Sequence, residues 1–537
     1  MTPHRAEVVS ATEIQFADTF NLTVPFIDRH LADGNENKVV ARWNDSTLTF
    51  MELADQVNRM ASGLRRLGIK RDDRILILCR DDVSFLVTFF GALRIGAIAI
   101  PANYFQRTAD YAYILQDSGA RIVVATEEVL PELDPALSKA GDAVIALICA
   151  EGEKDKWESL ETFLAAGDSE SDPEATSPNS VAFWLYSSGS TGSPKAAVHQ
   201  HKDPVWISHL FGGNTLKLTK KDLLFSPPKM FFAYGLGNSV CFPFWFGCEM
   251  VLMRERPTAE NTLALMNTFR PTIYFGVPTL YAMQLAALES GKSCDFSRLR
   301  WCHSGGEALP PPLLEKWHRL TDCNIHDAIG SSEALHFYTA NTPGKIKPGS
   351  AGRMIPGYDG RVIDENGSDV PDGEVGELMI RGKSVATTYW NKPEKTAESM
   401  VDGWFRTGDS VWRDDDGYIF FSGRANDMLK VGGIWVSPFE VESALMAHPA
   451  VLEAGVVGWP DNEGLIKPKA FVVLKEGKTP DVAMSRALTS FVRARLAPYK
   501  YPRWIEFLDE LPKTASGKIQ RFRLKNRSSV NYVNKGE

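Results

Sequence analysis

A chain of 537 residues that is 44% hydrophobic and 23% charged has an ordinary globular composition, and it exceeds what one hydrophobic core usually serves, so two or more domains are expected. A formal net charge of −8 argues against general nucleic-acid binding, although from Asp427 onward 17 Lys+Arg face 12 Asp+Glu, a basic end on an acidic body. Seven cysteines with no C-x-x-C pair and no zinc-like spacing indicate scattered thiols in a reducing compartment.

Met1-Thr-Pro-His-Arg-Ala-Glu7 lacks the charged-then-apolar pattern of a signal peptide. The longest apolar stretch, 84–102, is broken by Arg94 and by glycines, so a cytoplasmic protein without a membrane span is expected. Leu53, Val57, Met60, Leu64 and Leu67 recur at helical spacing and predict an amphipathic helix before the polar turn 70–73. Arg74–Cys79 reads as a buried strand, 84–95 as a buried helix, 111–118 as a polar helix and 121–125 as a second strand. This alternation continues through roughly the first 300 residues and predicts parallel α/β sheets. Residues 151–180, acidic and poor in apolar side chains, read as a surface connection. Between Gly349 and Ile380, Gly, Pro and Asp punctuate short β runs such as 360–363 and 377–380, as in a small antiparallel barrel or sheet. Beyond Gly423-Arg-Ala-Asn-Asp427 come a helix (436–448), two strands (451–457 and 470–474) and a helix (481–496), a compact α+β unit.

Two segments rich in small residues and ending in lysine stand out. Tyr186-Ser-Ser-Gly-Ser-Thr-Gly-Ser-Pro-Lys195 follows the apolar run Val181–Leu185, and Pro512-Lys-Thr-Ala-Ser-Gly-Lys518 lies near the C-terminus. Glycines let backbone N–H groups approach a phosphate, and hydroxyls add donors. The first segment is not a Walker loop: Pro194 precedes its lysine and Ala196 follows, so the Mg²⁺-binding hydroxyl is missing.

Ser187–Lys195 resembles the phosphate loop of the adenylate-forming superfamily, which contains acyl- and aryl-CoA synthetases, peptide-synthetase adenylation domains and luciferases. Four further segments match in order: Ile329-Gly-Ser-Ser-Glu333, Trp404-Phe-Arg-Thr-Gly-Asp409, Gly423–Asp427 followed by Lys430-Val-Gly-Gly433, and Pro512–Lys518. The likeness extends over essentially the whole chain. It implies an α/β fold with a large N-terminal adenylation domain of stacked parallel sheets plus a β-barrel subdomain (1–426) and a small mobile α+β lid (427–537).

The resemblance also implies roles. The family joins a carboxylate to AMP with loss of pyrophosphate, which puts an anionic phosphorus centre among donors and cations. Ser187, Ser188, Gly189, Thr191, Gly192 and Lys195 would hold the β- and γ-phosphates, and Glu333 would be the Mg²⁺ ligand. The family usually has threonine where Ser332 stands, which keeps the hydroxyl. Asp409 would accept both ribose hydroxyls with Arg424 assisting, and Gly305, Gly306, Glu307 and Asp327 would hold adenine. Lys518 would neutralise charge at the α-phosphate, Asp427 would be the hinge, and Lys430, Gly432 and Gly433 would border a pantetheine tunnel.

For the acid, Phe231–Gly237 and Gly330–Phe337 look most like benzoate-CoA ligases. Ala233, Tyr234, Gly330, His336 and Phe337 are the pocket candidates, since aromatic walls with small residues between them suit a planar acid. The expectation is therefore a Mg²⁺-dependent aryl-CoA ligase acting on benzoate or a close aromatic acid with ATP and CoA as co-substrates. A medium-chain acyl-CoA synthetase and a stand-alone adenylation enzyme loading a carrier protein are the alternatives. A monomer or homodimer is expected, with a lysine acetyltransferase acting on Lys518 and neither nucleic acid nor membrane as a partner.

Overall fold

The computed structural model describes residues 2–138, 143–187, 194–424, 427–431, 434–461, 465–496, 499–513 and 519–525. Two large sheets form its body. The first has seven strands in the order Lys195–Gln200, Val181–Ser187, Ile98–Pro101, Arg74–Leu78, Ile122–Ala125, Ala146–Cys149 and Glu158–Ser159. All its neighbours are parallel except the first pair, where Ser187 stands opposite Lys195 at the two ends of the 188–193 segment. The second has nine strands, with Ile273–Gly276, Trp301–Ser304 and Ile325–Gly330 parallel near its centre and Phe337–Ala340 folding back antiparallel on the last of these.

One apolar core joins the two sheets, holding Ile75 and Ile77 from the first and Ile273 and Phe275 from the second. Helix Phe50–Arg66 enters it through Leu53, Val57, Met60 and Leu64, all fully buried, and begins at a capping box in which the Thr49 hydroxyl accepts from the Glu52 amide while the Glu52 carboxylate accepts from the Thr49 amide. Leu67 departs from the predicted stripe. It is the residue that caps the helix and is 37% exposed, because the chain leaves helical geometry there and the periodicity no longer aims its side chain inward. Helix Val83–Arg94 is buried all round, as a helix between two layers must be. Its one cation, Arg94, pairs with Asp28 at 3.0 Å.

The acidic stretch 151–180 is more than a connection. Glu158–Ser159 adds an edge strand to the first sheet, and helix Leu160–Ala165 lays Phe163 against Gly63, where an added Cβ would stand 2.6 Å from the phenyl ring. Trp157, Leu160 and Phe163 supply three buried anchors in a segment whose average composition conceals them.

The antiparallel region is five-stranded: Tyr358–Ile363, Gly376–Gly382, Trp404–Arg413 and Met400–Val401 in order, with Ile419–Arg424 pairing to the long Trp404–Arg413 strand. The C-terminal unit has its own core, in which helices Pro438–Met446 and Val482–Arg493 cover a three-stranded sheet, Val451–Pro460, Ile466–Leu474 and Trp504–Phe507. Among the described residues no helix is long and apolar enough to cross a membrane.

Candidate active site

Lys195 opens the strand Lys195–Gln200, directly after the glycine- and serine-rich sequence. Beside it runs the segment 386–390, stitched to that strand by Val198 N–H to the Thr388 carbonyl (3.1 Å) and Trp390 N–H to the Ala196 carbonyl (2.9 Å). This pairing delivers Tyr389 to the lysine. Lys195 Nζ donates to Tyr389 Oη at 2.6 Å, Tyr389 Oη donates to Glu333 Oε1 at 2.6 Å, and Lys195 Nζ lies 3.0 Å from the same oxygen. Burial alone would push the Glu333 carboxyl up, but the Lys195 charge and the Tyr389 hydroxyl outweigh it and hold the group below its ordinary value, as an anion.

Glu333 sits on the turn of the hairpin formed by Ile325–Gly330 and Phe337–Ala340. The turn is pinned from outside: His199 Nε2 lies 2.8 Å from the Ser332 carbonyl and His199 Nδ1 3.1 Å from Asp203, while Ala386 N–H donates to the Glu333 carbonyl at 2.7 Å. Leu335 completes the reversal at φ +67°, a left-handed conformation that a leucine adopts only when its surroundings enforce it.

The same hairpin feeds an aromatic cage. Gly330 stands opposite Phe337 in the register, and a Cβ there would lie 2.6 Å from the His336 carbonyl oxygen and 2.9 Å from the Phe337 ring. Gly305 is equally committed, since a Cβ would come 2.4 Å from Phe337. Tyr234 meets Phe337 and His336 with ring centroids 4.9 and 5.7 Å apart, and its hydroxyl donates to the Gly276 carbonyl at 3.2 Å. Ala233 begins the short helix Ala233–Leu236 that carries Tyr234. His336 Nε2 is 3.0 Å from Asn238 Oδ1, and burial depresses this imidazole to about 3, so it is neutral. Phe211 touches His303, His336 and Phe337, and Phe242 closes on His336.

On the other side of Gly305, Asp327 is buried and its carboxyl is pushed up to about 8 by desolvation, with the Leu309 N–H donating to Oδ2 at 3.4 Å. Glu307 accepts from the Thr279 hydroxyl at 3.0 Å, and Gly306 takes φ +83° between them. Asp409 is buried on Trp404–Arg413, receives the Tyr338 hydroxyl at 3.4 Å, and lies across the ladder from Arg424, whose side chain is outside the described atoms. Asp427 faces Arg521 and Lys525, each at 3.8 Å.

Thus Lys195 and Glu333 meet, with Ser332 on the same turn, and Tyr234, Gly330, His336 and Phe337 share one cage. Ser187 borders the loop, its hydroxyl 3.4 Å from the Lys195 carbonyl. Ser188, Gly189, Thr191, Gly192, Gly432, Gly433 and Lys518 lie outside the described residues, as does the Lys430 side chain. Tyr389, His199, Tyr338 and His303 contact these candidate residues, and the sequence alone does not single them out. The one signal available was at His303, a titratable residue inside the otherwise buried run Trp301–Ser304. No cluster of three or more metal-ligating side chains occurs among the described residues. The buried Glu333 carboxylate nonetheless suits Mg²⁺, which takes one or two carboxylates and fills its other positions with phosphate oxygens and water.

Comparison with known proteins gives the family of the chain. The model of the AMP-binding enzyme family matches residues 28–390, and that of the AMP-binding enzyme C-terminal domain matches 440–518. The benzoate–CoA ligase of Thauera aromatica is 45% identical over 96% of this chain and 97% of its own length. The 4-hydroxybenzoate–CoA/benzoate–CoA ligase of Rhodopseudomonas palustris is 39% identical over 94% of each. Among solved structures, an anthranilate CoA ligase in complex with anthranoyl-AMP superposes with a TM-score of 0.91 at 37% identity, covering 96% of this chain and 98% of that one. A benzoate CoA ligase from Burkholderia xenovorans superposes at 0.87 with 40% identity, covering 94% and 100%. With the paired sheets, the separate C-terminal unit and the lysine–tyrosine–glutamate cluster in place, the chain belongs to the AMP-binding, adenylate-forming enzymes.

Proposed function

We propose that this protein is an AMP-forming aryl-CoA ligase that converts benzoate or a close aromatic acid, ATP and CoA to the aroyl-CoA, AMP and pyrophosphate through an aroyl-adenylate. One observation carries the reading: a single hairpin turn holds Glu333 against Lys195 and, three residues on, places His336 in a closed aromatic cage. A site suited to phosphate chemistry and an aromatic cage suited to a planar ring are thereby set side by side.

In the first half-reaction the acid's carboxylate oxygen attacks the α-phosphorus and the bond to pyrophosphate breaks. Lys195 binds the departing phosphates together with the hydroxyls and amides of the 187–193 loop, and Tyr389 holds its ammonium in place. Glu333 offers the hard oxygen that a Mg²⁺ ion shared with the triphosphate would use, and such an ion supplies charge neutralisation when bound. Asp409 holds the ribose, and Gly305, Gly306, Glu307 and Asp327 border the adenine. Cage walls of Tyr234, His336 and Phe337 stack on the ring and exclude water.

The second half-reaction needs a thiol where the triphosphate had been. The boundary at Asp427 divides a body (1–426) from a lid (427–537) that carries Lys518 to the α-phosphate for adenylation and then rotates away, bringing the 430–433 segment to the pantetheine path. The Arg521 and Lys525 contacts to Asp427 support a jointed role for this residue.

A panel of benzoate, its hydroxy and amino derivatives, furoate and C4–C10 acids, assayed for CoA-dependent AMP release, tests the reading. Fastest turnover is expected with an aromatic acid. Preference for an aliphatic acid, or pyrophosphate exchange without any CoA turnover, would overturn it. For the lid, Lys518→Ala is expected nearly to abolish aroyl-AMP formation while thioesterification of supplied aroyl-AMP persists, and equal loss of both would refute that division.

A further inference from the structure

His303 is fully buried in the centre of the nine-stranded sheet, and both of its ring nitrogens lack a hydrogen-bond partner. Strand alternation turns it, with Trp301, toward the core that contains Phe275 and Phe337, while Cys302 faces the opposite core. Around the imidazole stand Phe211 (5.2 Å between ring centroids), His326 (5.4 Å), Trp301 (5.5 Å), Phe275 (5.9 Å) and Phe337 (6.3 Å). The His326 main chain pulls weakly on the ring without meeting hydrogen-bond geometry. His336, which shares Phe211 and Phe337 as neighbours, has an unpartnered Nδ1 as well.

Three unmet ring nitrogens therefore belong to two imidazoles that share Phe211 and Phe337 as neighbours. Burial keeps both imidazoles neutral; His303 offers one N–H donor and one lone pair, whereas His336, whose Nε2–H donates to Asn238 Oδ1, offers the lone pair of Nδ1. A buried polar atom without a partner opposes folding, and packing alone gives no reason for histidine here, since leucine or phenylalanine would fill the same space at no polar cost. Such atoms in a native core commonly wait for a water or a ligand.

We propose that His303, together with His336 Nδ1, forms a polar recess in the wall of the acid pocket that hydrogen-bonds a hydroxyl or amino substituent on the aromatic ring. This rests on the aryl-acid reading above and narrows it to benzoates bearing a hydrogen-bonding substituent. A phenol can donate to an imidazole lone pair or accept from an imidazole N–H, and an aniline can donate. An unsubstituted ring does neither and leaves the nitrogens unmet.

The test compares kcat/KM for 2-, 3- and 4-hydroxy- and aminobenzoates, each divided by the value for benzoate, in the full-length protein and in His303→Leu and His303→Gln. For at least one ring position the ratio is expected to fall about tenfold in the leucine variant and to be restored by glutamine, which keeps a donor and an acceptor. The substituent affected tells hydroxyl from amino recognition, and its ring position locates the recess. Should His303→Leu fail to fold, ¹⁵N-histidine spectra of the parent protein decide: the substituted acid shifts the His303 ring resonances and benzoate does not. Equal ratios in all three proteins, or equal shifts with benzoate and the substituted acid, would overturn the proposal and assign the nitrogens to internal water. If no aromatic acid drives AMP release, the aryl-acid reading itself falls first and this proposal falls with it.

Discussion

Glu333 and His336 are three residues apart on one turn, but their surroundings treat polarity in opposite ways. At Glu333 the carboxylate, the Tyr389 hydroxyl and the Lys195 ammonium lie within 3.0 Å of one another, and the acid remains charged despite burial. At His336 and the neighbouring His303, the imidazoles are stripped of charge and three nitrogens go unmet. The first region is a preorganised electrostatic site, complete before any substrate arrives, as suits chemistry whose charge develops in a known place. The second withholds its hydrogen bonds, as suits a site that must tell one ring from another, because discrimination is strongest where a polar group is left unpaired by the wrong ligand.

The contrast can be broken by substitution. The largest expected effect is at Glu333→Ala, which leaves Lys195 without its counter-charge. Acid-dependent pyrophosphate exchange should fall by about 10²–10³-fold, the scale of losing one preorganised electrostatic group. If selectivity among acids shifts as much as the rate does, the two regions are not separable. Asp327, on the strand that leads into the turn, sharpens the contrast through pH. Its carboxyl, raised to about 8 by burial, keeps its proton in the folded state while the unfolded chain loses it near pH 4. Stability is therefore fully present below about pH 4 and lost as pH rises toward 8, by at most about 1.4 kcal/mol per pH unit. Asp327→Asn should remove that slope from urea unfolding measured across the range, and an unchanged slope would show that the acid is ionised when folded.

Smaller effects follow nearer the joint. Tyr389→Phe deletes the hydroxyl between lysine and glutamate, and about a tenfold loss of adenylation with about 1–3 kcal/mol of destabilisation is expected, read by exchange kinetics and thermal unfolding. Gly237→Ala is the mildest. Its Cβ would stand 2.3 Å from His336 Cδ2, so the imidazole must shift, and the KM for the acid should change several-fold while that for ATP does not. Parallel changes in both would mean that the cage reaches the phosphate region.

How much of this was legible follows from which interactions are local in sequence. The alternating strands and helices were readable because Arg74–Leu78 and Val83–Arg94 carry their burial in their composition. Leu67 misled because periodicity outlasts the helix by one residue. The 151–180 stretch misled because three anchors suffice to dock a segment that is polar on average. Lys195 and Glu333 each sit in a motif, so both could be named in advance. Tyr389 could not, because its importance lies in a bridge to a strand 194 positions earlier, and a tyrosine in Thr388-Tyr-Trp390 looks like any other aromatic. His303 announced itself only as a histidine among apolar neighbours, and whether its nitrogens were met depends on three elements distant in the chain.

The left-handed Leu335 fixes how these regions speak to each other. A reversal this tight leaves no slack between the carboxylate on one side and the imidazole on the other. Glu333 is tied to Lys195 and Tyr389, and His336 to Asn238, so a shift of the imidazole would meet a carboxylate with anchors of its own. The turn thus joins two separately anchored groups, one for each side of the contrast, in a single short piece of chain.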